Sequence, residues 1–324
     1  MLGGVNYVLM GAGIPMKIPG VLDRYVHHQE ATYPLSISGA TEGDDVLMRF
    51  NPKDYIPINL PDLERPKFLA IIASSVLAQT LARKANGQVD GFIIEGPTAG
   101  GHNAPPRGQL QLNERGEPIY GERDVVDLAK MRQIGLPFWL AGGFGSSQAL
   151  QSALAEGAAG IQVGTAFALC DESAMDPALK RQVLEKVLNN EISVFTDPNA
   201  SPTGFPFKVA QVEGSISEHQ VYSARPRVCD LGYLREAYRT EDGQVGYRCA
   251  AEQPSVYHAK AGSEPTDGRK CICNALLAAI GQPQQRGPHY HEPPVVTAGD
   301  DLVHAARFVP PGRTDRKRSC RERV

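Results

Sequence analysis

Residues 89–103 read VDGFIIEGPTAGGHN, an apolar run that enters a glycine-rich turn ending on a histidine. The run GFII shows no alternation of apolar and polar positions, which is the pattern of a parallel strand covered on both faces. Two more stretches end the same way, FWLAGGFG at 138–145 and GIQVGTAF at 160–167. Three strands that each close on small residues point to one shared ligand. Glycine suits that place because a residue without Cβ takes positive φ freely and lets backbone N–H groups come close to an anion. Gly142, Gly143, Gly164 and Thr165 stand where two strands stop and two helices begin, a natural place for a phosphate. In an eight-stranded α/β barrel, the loops after strands seven and eight form such a site.

Working outward, five short β-rich apolar runs recur, at 7–10, 68–73, 91–94, 138–141 and 160–163. Between them lie helical stripes. Leu77, Leu81 and Ala85 recur at i, i+4, i+8, and Leu150, Ala153, Leu154 and Gly157 at i, i+3, i+4, i+7, each spacing marking one buried face. The shortest strand-to-strand interval, about 22 residues, has room for a crossover helix and two short loops. The expected fold is therefore α/β with a parallel sheet. Asp176 followed by Pro177 reads as a helix start ahead of Leu179, Val183 and Val187, an N-cap acceptor with proline at the first helical position. Residues 14–66, rich in Pro, Asp and Gly, are expected to run over the surface with short antiparallel strands at 33–38 and 45–50. Residues 103–120 directly follow His102 and are expected to fold across the site as a lid.

Composition narrows the function classes. The chain has 324 residues, 42% hydrophobic and 21% charged, with a net charge of −3. It is long enough for a barrel domain of roughly 250 residues plus an appendage. A near-neutral balance without basic stripes speaks against nucleic acid, and no apolar run reaches the roughly 18 residues of a membrane span. Six cysteines are too few for a disulfide scaffold, and a cytoplasmic location is expected. The last twelve residues, 313–324, are abruptly basic and read as a solvated disordered tail.

Taken together, GPTAGGHN, LAGGFGSSQAL and GAAGIQVGTAF resemble the nitronate monooxygenase family, once called 2-nitropropane dioxygenases, which use flavin mononucleotide (FMN). The resemblance covers approximately residues 1–190. Residues 192–312, with RVCDLGYLREAYR and GRKCICN, look like the extension of a longer subgroup. What the resemblance implies is a (β/α)8 TIM barrel with the flavin across the C-terminal ends of its strands. By that comparison the five runs are strands four to eight, so the barrel is expected to be incomplete, truncated before Met1, with two open edges and an unstable or aggregating core. The implied organisation is a partial FMN-binding barrel at 1–191, an irregular extension packed on it at 192–312 and the tail at 313–324.

The resemblance carries flavin contacts to Glu95, Gly100, Gly143, Gln162, Val163, Gly164 and Thr165, and Gly101 and Gly142, beside them in the same glycine loops, are further candidate cofactor contacts. Glu95 is a departure, since the family more often has glutamine there. An ionised carboxylate disfavours a reduced anionic flavin unless it is protonated or faces a cation. Thr98 departs as well, where the family commonly has glutamate. His102 is the candidate catalytic residue, because an imidazole titrates near neutrality and can take a proton from an acidic carbon or bind a nitro oxygen. The expected activity is FMN-dependent oxidation of alkyl nitronates or similar anions by dioxygen, with a small-molecule substrate and a homodimer as the assembly. The alternatives are an FMN-dependent NAD(P)H enoyl reductase, or an inactive truncated remnant of either enzyme. Ser74 and Ser75 suit a helix cap better than a flavin contact. The spacing of Cys229, Cys249, Cys271 and Cys273 argues against a zinc site, and His289, His291 and Glu292 read as a surface loop, so no metal is expected.

Overall fold

The computed structural model describes residues 1–11, 13–41, 45–56 and 60–309, and the basic tail lies outside them. In chain order the strands are β1 (Tyr7–Met10), β2 (Ala31–Pro34), β3 (Ile37–Ser38), β4 (Leu47–Phe50), β5 (Lys67–Ile72), β6 (Gly91–Glu95), β7 (Phe138–Ala141), β8 (Gly160–Gln162), β9 (Val194–Asp197), β10 (Phe207–Ala210), β11 (Glu236–Arg239), β12 (Val245–Arg248), β13 (Gln285–Arg286) and β14 (Tyr290–His291). The helices are α1 (Ile18–Val26), α2 (Ser75–Lys84), α3 (Leu128–Ile134), α4 (Ser147–Ala155), α5 (Thr165–Ala168), α6 (Pro177–Leu188), α7 (His219–Ala224), α8 (Pro254–Ala259) and α9 (Ile272–Ala279), with a final 3-10 stretch over Asp300–Phe308.

The five apolar runs form one parallel sheet in the order β1, β5, β6, β7, β8. It is open, with β1 and β8 as its edges. Alternate side chains separate its two faces. Phe68, Ala70, Ile72, Phe92, Ile94, Phe138 and Leu140 point to the helix side, where they pack with Ala78 and Leu81 of α2, Met131 of α3 and Ala153 of α4. Leu69, Ile93 and Ala141 form a smaller cluster on the other face, next to Ile71 and Trp139. Such a sheet with helices on one side is the βα architecture expected of half a barrel.

Local chemistry sets the helix ends. Ser74 accepts from the Leu77 amide at 3.2 Å and so caps α2, and Ser146 does the same for α4 through Ala149 at 3.1 Å. Asp176 accepts from both Ala178 and Leu179 to start α6. Each such cap contributes about 1 kcal/mol. Leu179, Val183 and Val187 bury one stripe of α6 as the spacing requires. The α4 stripe differs, for Ala153 is buried but Leu154 is 49% exposed. Its neighbour Gly157, at φ 86°, already belongs to the turn after the helix, so the periodic pattern overran the element. The surface region does contain an antiparallel pair, β2 with β4.

Residues 192–309 hold more regular structure than the irregular segments expected there, although the one short helical run that the sequence suggests near 274–280 is present as α9. The β9–β10 hairpin, α7 and α9 contribute to two clusters, one around Val183, Val194 and Val296, the other around Phe207, Ile216 and Ile272, while the β11–β12 pair and α8 supply residues to neither. The first cluster includes α6, so the extension shares its core with the last helix of the sheet domain. Single short strands of mixed polarity, such as β11 with Glu-Ala-Tyr-Arg, carry too weak a period to read alone.

Candidate active site

Strand register builds the site. Glu95 pairs with Ala141 across β6 and β7, and Ala141 pairs with Gln162 across β7 and β8. These three positions form one row at the C-terminal end of the sheet. Above them lies a cavity of about 320 Å³. All nine residues expected to hold a cofactor line it: Glu95, Gly100 and Gly101 from the β6 loop, Gly142 and Gly143 from the β7 loop, and Gln162, Val163, Gly164 and Thr165 at β8.

The glycines shape this cavity in two ways. Gly142 has φ 94°, and a Cβ there would sit 2.7 Å from Thr98 Oγ1 and 2.9 Å from the Ala99 nitrogen. That turn admits no side chain. Gly143 and Gly164 are different, since a Cβ on either would meet nothing within 4 Å. Both line the cavity, so a side chain there would project into open room.

Two titratable groups were expected here, and the structure separates them. Glu95 lines the cavity and also a smaller one of about 40 Å³ formed by Ala73, Arg107, Tyr120 and Asp124. Burial raises its carboxyl to about 7, and among the described residues no salt bridge reaches it. His102 is not among the lining residues. Its Nε2 lies 2.7 Å from Ser201 Oγ, and its ring packs edge-on against Phe207 at 4.9 Å. Burial lowers its pKa, which keeps the imidazole neutral at pH 7.

Residues 103–120 line the smaller cavity beside Glu95, through Ala104, Pro105, Arg107 and Tyr120, and not the larger one. Arg107 donates to the Ala73 carbonyl at 2.8 Å, and Tyr120 donates to the Ala104 carbonyl at 3.0 Å. The far end of the segment is tied to the extension, where the Thr196 amide donates to Glu117 at 2.9 Å. Tyr120 is pushed up to about 12 by burial, with Asp124 and Asp300 adding to the effect. It therefore stays a neutral donor.

The sequence reading missed one wall. Thr297, Ala298, Gly299 and Asp301 line the cavity from the extension. Gly101 donates its amide to Thr297 Oγ1 at 2.8 Å, and Gly299 donates to Thr165 Oγ1 at 3.0 Å. The Asp300 amide donates to the Thr98 carbonyl at 2.9 Å. A signal was present, since residues 295–299 read VVTAG, again an apolar run closing on small residues. Among the described residues no group of three His, Cys, Asp or Glu side chains is arranged to hold a metal ion. Glu292, grouped by sequence with His289 and His291, is instead buried against Arg225.

Known proteins resemble part of this chain. The family model described as nitronate monooxygenase matches residues 59–199. A dehydrogenase of Mycobacterium tuberculosis, named for a 5-hydroxy-7a-methyl-1-oxo-octahydro-1H-indene-4-carboxyl-CoA substrate, is 30% identical over 145 residues, 44% of this chain and 36% of that protein. A probable nitronate monooxygenase of Bacillus subtilis is 32% identical over 112 residues, 35% of this chain and 30% of that protein. The chain thus spans about a third of the length of the curated relatives it matches. A nitroalkane oxidase structure from Streptomyces ansochromogenes aligns at a TM-score of 0.40 and 20% identity, covering 75% of this chain and 55% of that one. Among the described residues no helix is long and apolar enough to cross a membrane. Over residues 59–199 the chain is similar to the nitronate monooxygenase family.

Proposed function

We propose that the cavity at the ends of β6, β7 and β8 is the site of an FMN-dependent oxidoreductase of the nitronate monooxygenase type, acting on alkyl nitronates or similar small anions with dioxygen. The observation that carries this reading is the convergence of all nine expected residues on one cavity, with Glu95, Ala141 and Gln162 in register beneath it. In this reading the sheet lies in a TIM-type barrel, residues 1–191 supply the flavin loops and residues 192–312 pack against them, in a cytoplasmic enzyme.

The residues present fit a flavin. Among the described residues Gln162 Oε1 is buried without a hydrogen-bond partner, and Gln162 lines the cavity, so a donor on a ligand would satisfy an orphaned acceptor. Open space at Gly143 and Gly164 leaves backbone amides for a phosphate. No lysine or arginine lines this cavity among the described residues, so anion binding rests on amides. Asp301 would oppose it, but Arg307 lies 3.9 Å from that carboxylate. A bound flavin would accept the substrate's electrons and hand them on to dioxygen.

The chain's own groups supply position and protons. Gln162, with the amides of Gly143 and Gly164, orients the bound ring system and its phosphate. Glu95, half protonated near neutrality, faces the cavity and is the group best placed to hold or release a proton there. A neutral Glu95 also removes the charge that would disfavour a reduced flavin. His102, held by Ser201 and Phe207 directly behind Gly101, serves the same loop. Its Nε2 is engaged by Ser201.

Purified protein decides the matter. A yellow preparation with a flavin spectrum, bleached anaerobically by ethyl nitronate and not by NADH, is the expected result. Bleaching by NADH would favour the enoyl reductase reading, and a colourless preparation that takes up no FMN would leave the remnant.

A further inference from the structure

The segment 297–301 crosses the glycine loops and bonds to them in turn. Thr297 accepts from the Gly101 amide, Gly299 donates to Thr165, and Asp300 donates to Thr98. Farther along, Arg307 donates to the Gly145 carbonyl at 3.2 Å. One stretch of chain from the extension therefore bonds to the loops after β6, β7 and β8 alike.

Glycine occurs on both sides of the closest approach. A Cβ on Gly100 would lie 2.7 Å from the carbonyl carbon of Ala298, and one on Gly299 would lie 2.8 Å from the Thr98 carbonyl oxygen. Backbone thus lies on backbone, and neither segment can retreat without moving the other. The crossing is also pinned from below. Lys208, its side chain 3% exposed, donates to Asp300 Oδ1 at 2.6 Å and to Thr196 Oγ1 at 2.7 Å. A buried ammonium with a carboxylate and a hydroxyl fixes the strap's position firmly.

A segment that merely packed would bond to the core and stay behind the loops. This one bonds to loop residues that line the cavity and puts four of its own residues on the cavity wall. We propose that the strap 297–301 is a working part of the cofactor site, with Thr297 and Gly299 as positioning residues that set flavin affinity by fixing Gly101 and Thr165. This rests on the flavin reading given above. The extension is then a component of the binding site, and its Asp301 faces the ligand.

The test is flavin affinity in the full chain, read by quenching of FMN fluorescence, beside the unfolding midpoint of the flavin-free protein. Thr297→Val keeps the side chain's shape and removes the acceptor for the Gly101 amide. It is expected to raise the FMN Kd by roughly tenfold, to lower the flavin-free midpoint by less than that loss of affinity, and to be rescued by Thr297→Ser. Gly299→Ala is expected to weaken binding further, and if that variant does not fold, the Thr297 pair decides. Wild-type affinity in Thr297→Val overturns the proposal. So does a loss of affinity matched by an equal fall of the flavin-free midpoint in Thr297→Val and Thr297→Ser alike. A wild-type chain that takes no FMN overturns the flavin reading, and the strap proposal falls with it.

Discussion

Gly100 and Gly299 meet face to face across 199 positions of sequence: a Cβ on Gly100 would lie 2.8 Å from the Gly299 nitrogen, and one on Gly299 would lie 3.4 Å from the Gly100 nitrogen. Neither neighbour is a flexible side chain that can turn aside. Gly100→Ala is therefore expected to destabilise the protein by about 1–3 kcal/mol through overpacking. Chemical denaturation checks this. Gly101 is the control, because a Cβ there would meet nothing within 4 Å. Its φ of 81° makes Gly101→Ala costly for conformational reasons alone, whereas Gly101→Asn, which tolerates that region better, should recover part of the loss. Gly100→Asn should recover none.

Glu95 gives the site a pH dependence whose sign is fixed by its environment. Burial raises its carboxyl from 4.5 to about 7, so the folded state binds more protons than the unfolded chain between those values. Stability must then fall as pH rises through that window, by at most about 3 kcal/mol once the carboxylate is fully ionised. Glu95→Gln keeps the shape and carries no charge. It is expected to remove this slope and to leave the flavin-free protein more stable at pH 8 than the wild type. Urea titrations at pH 5 and pH 8 measure both. An unchanged slope would show that Glu95 ionises freely in the folded protein.

The parallel sheet was legible because its middle strands β5, β6 and β7 are covered and so read as apolar runs. The cavity lining was legible because a glycine at the end of a buried strand marks a tight turn or a close approach of backbone, and three such ends lie side by side in one sheet. What the sequence hid is long-range. Nothing local to Thr297 or Gly299 announces that they cross a loop nearly 200 residues earlier, although the run before them has the same apolar-to-small character. His102 shows the opposite limit. Its place after Gly100 and Gly101 was clear, but the direction of its ring depends on Ser201 and Phe207, which belong to a segment with no readable period. The small strands β11 to β14 stayed hidden because two to four residues cannot establish an alternation.

The hydrogen bond between His102 and Ser201 separates two roles for the imidazole. If the ring works by holding the loop, His102→Ala and Ser201→Ala should reduce turnover to a similar extent, each with a stability cost of about 1–2 kcal/mol. We expect that outcome, since Ser201 and Phe207 hold the ring and His102 is not among the cavity-lining residues. Steady-state kinetics on both variants measures it. A loss of about a hundredfold or more in His102→Ala alone would assign proton transfer to the imidazole itself.

Arg225 and Glu292 carry the largest electrostatic stake in the extension. Both side chains are fully buried, with Nε 3.0 Å from Oε1. The contact is one of charge more than of alignment, since the Arg225 nitrogens and Glu292 Oε1 lack a well-directed hydrogen-bond partner among the described residues. Tyr290 donates to the other carboxylate oxygen at 2.9 Å. Burial nonetheless raises the Glu292 carboxyl, with Arg225 acting against that shift. Removing one partner strands the other charge in a dry site, so Arg225→Met or Glu292→Gln should each cost about 3–5 kcal/mol. The double variant Arg225→Met with Glu292→Leu strands no charge and should cost less than either single one. Because this pair lies away from the cavity-lining residues, a folded double variant should bind FMN with wild-type affinity. Additive losses in the double variant would show that the two side chains act independently and that no ion pair holds α7 to the segment after β14.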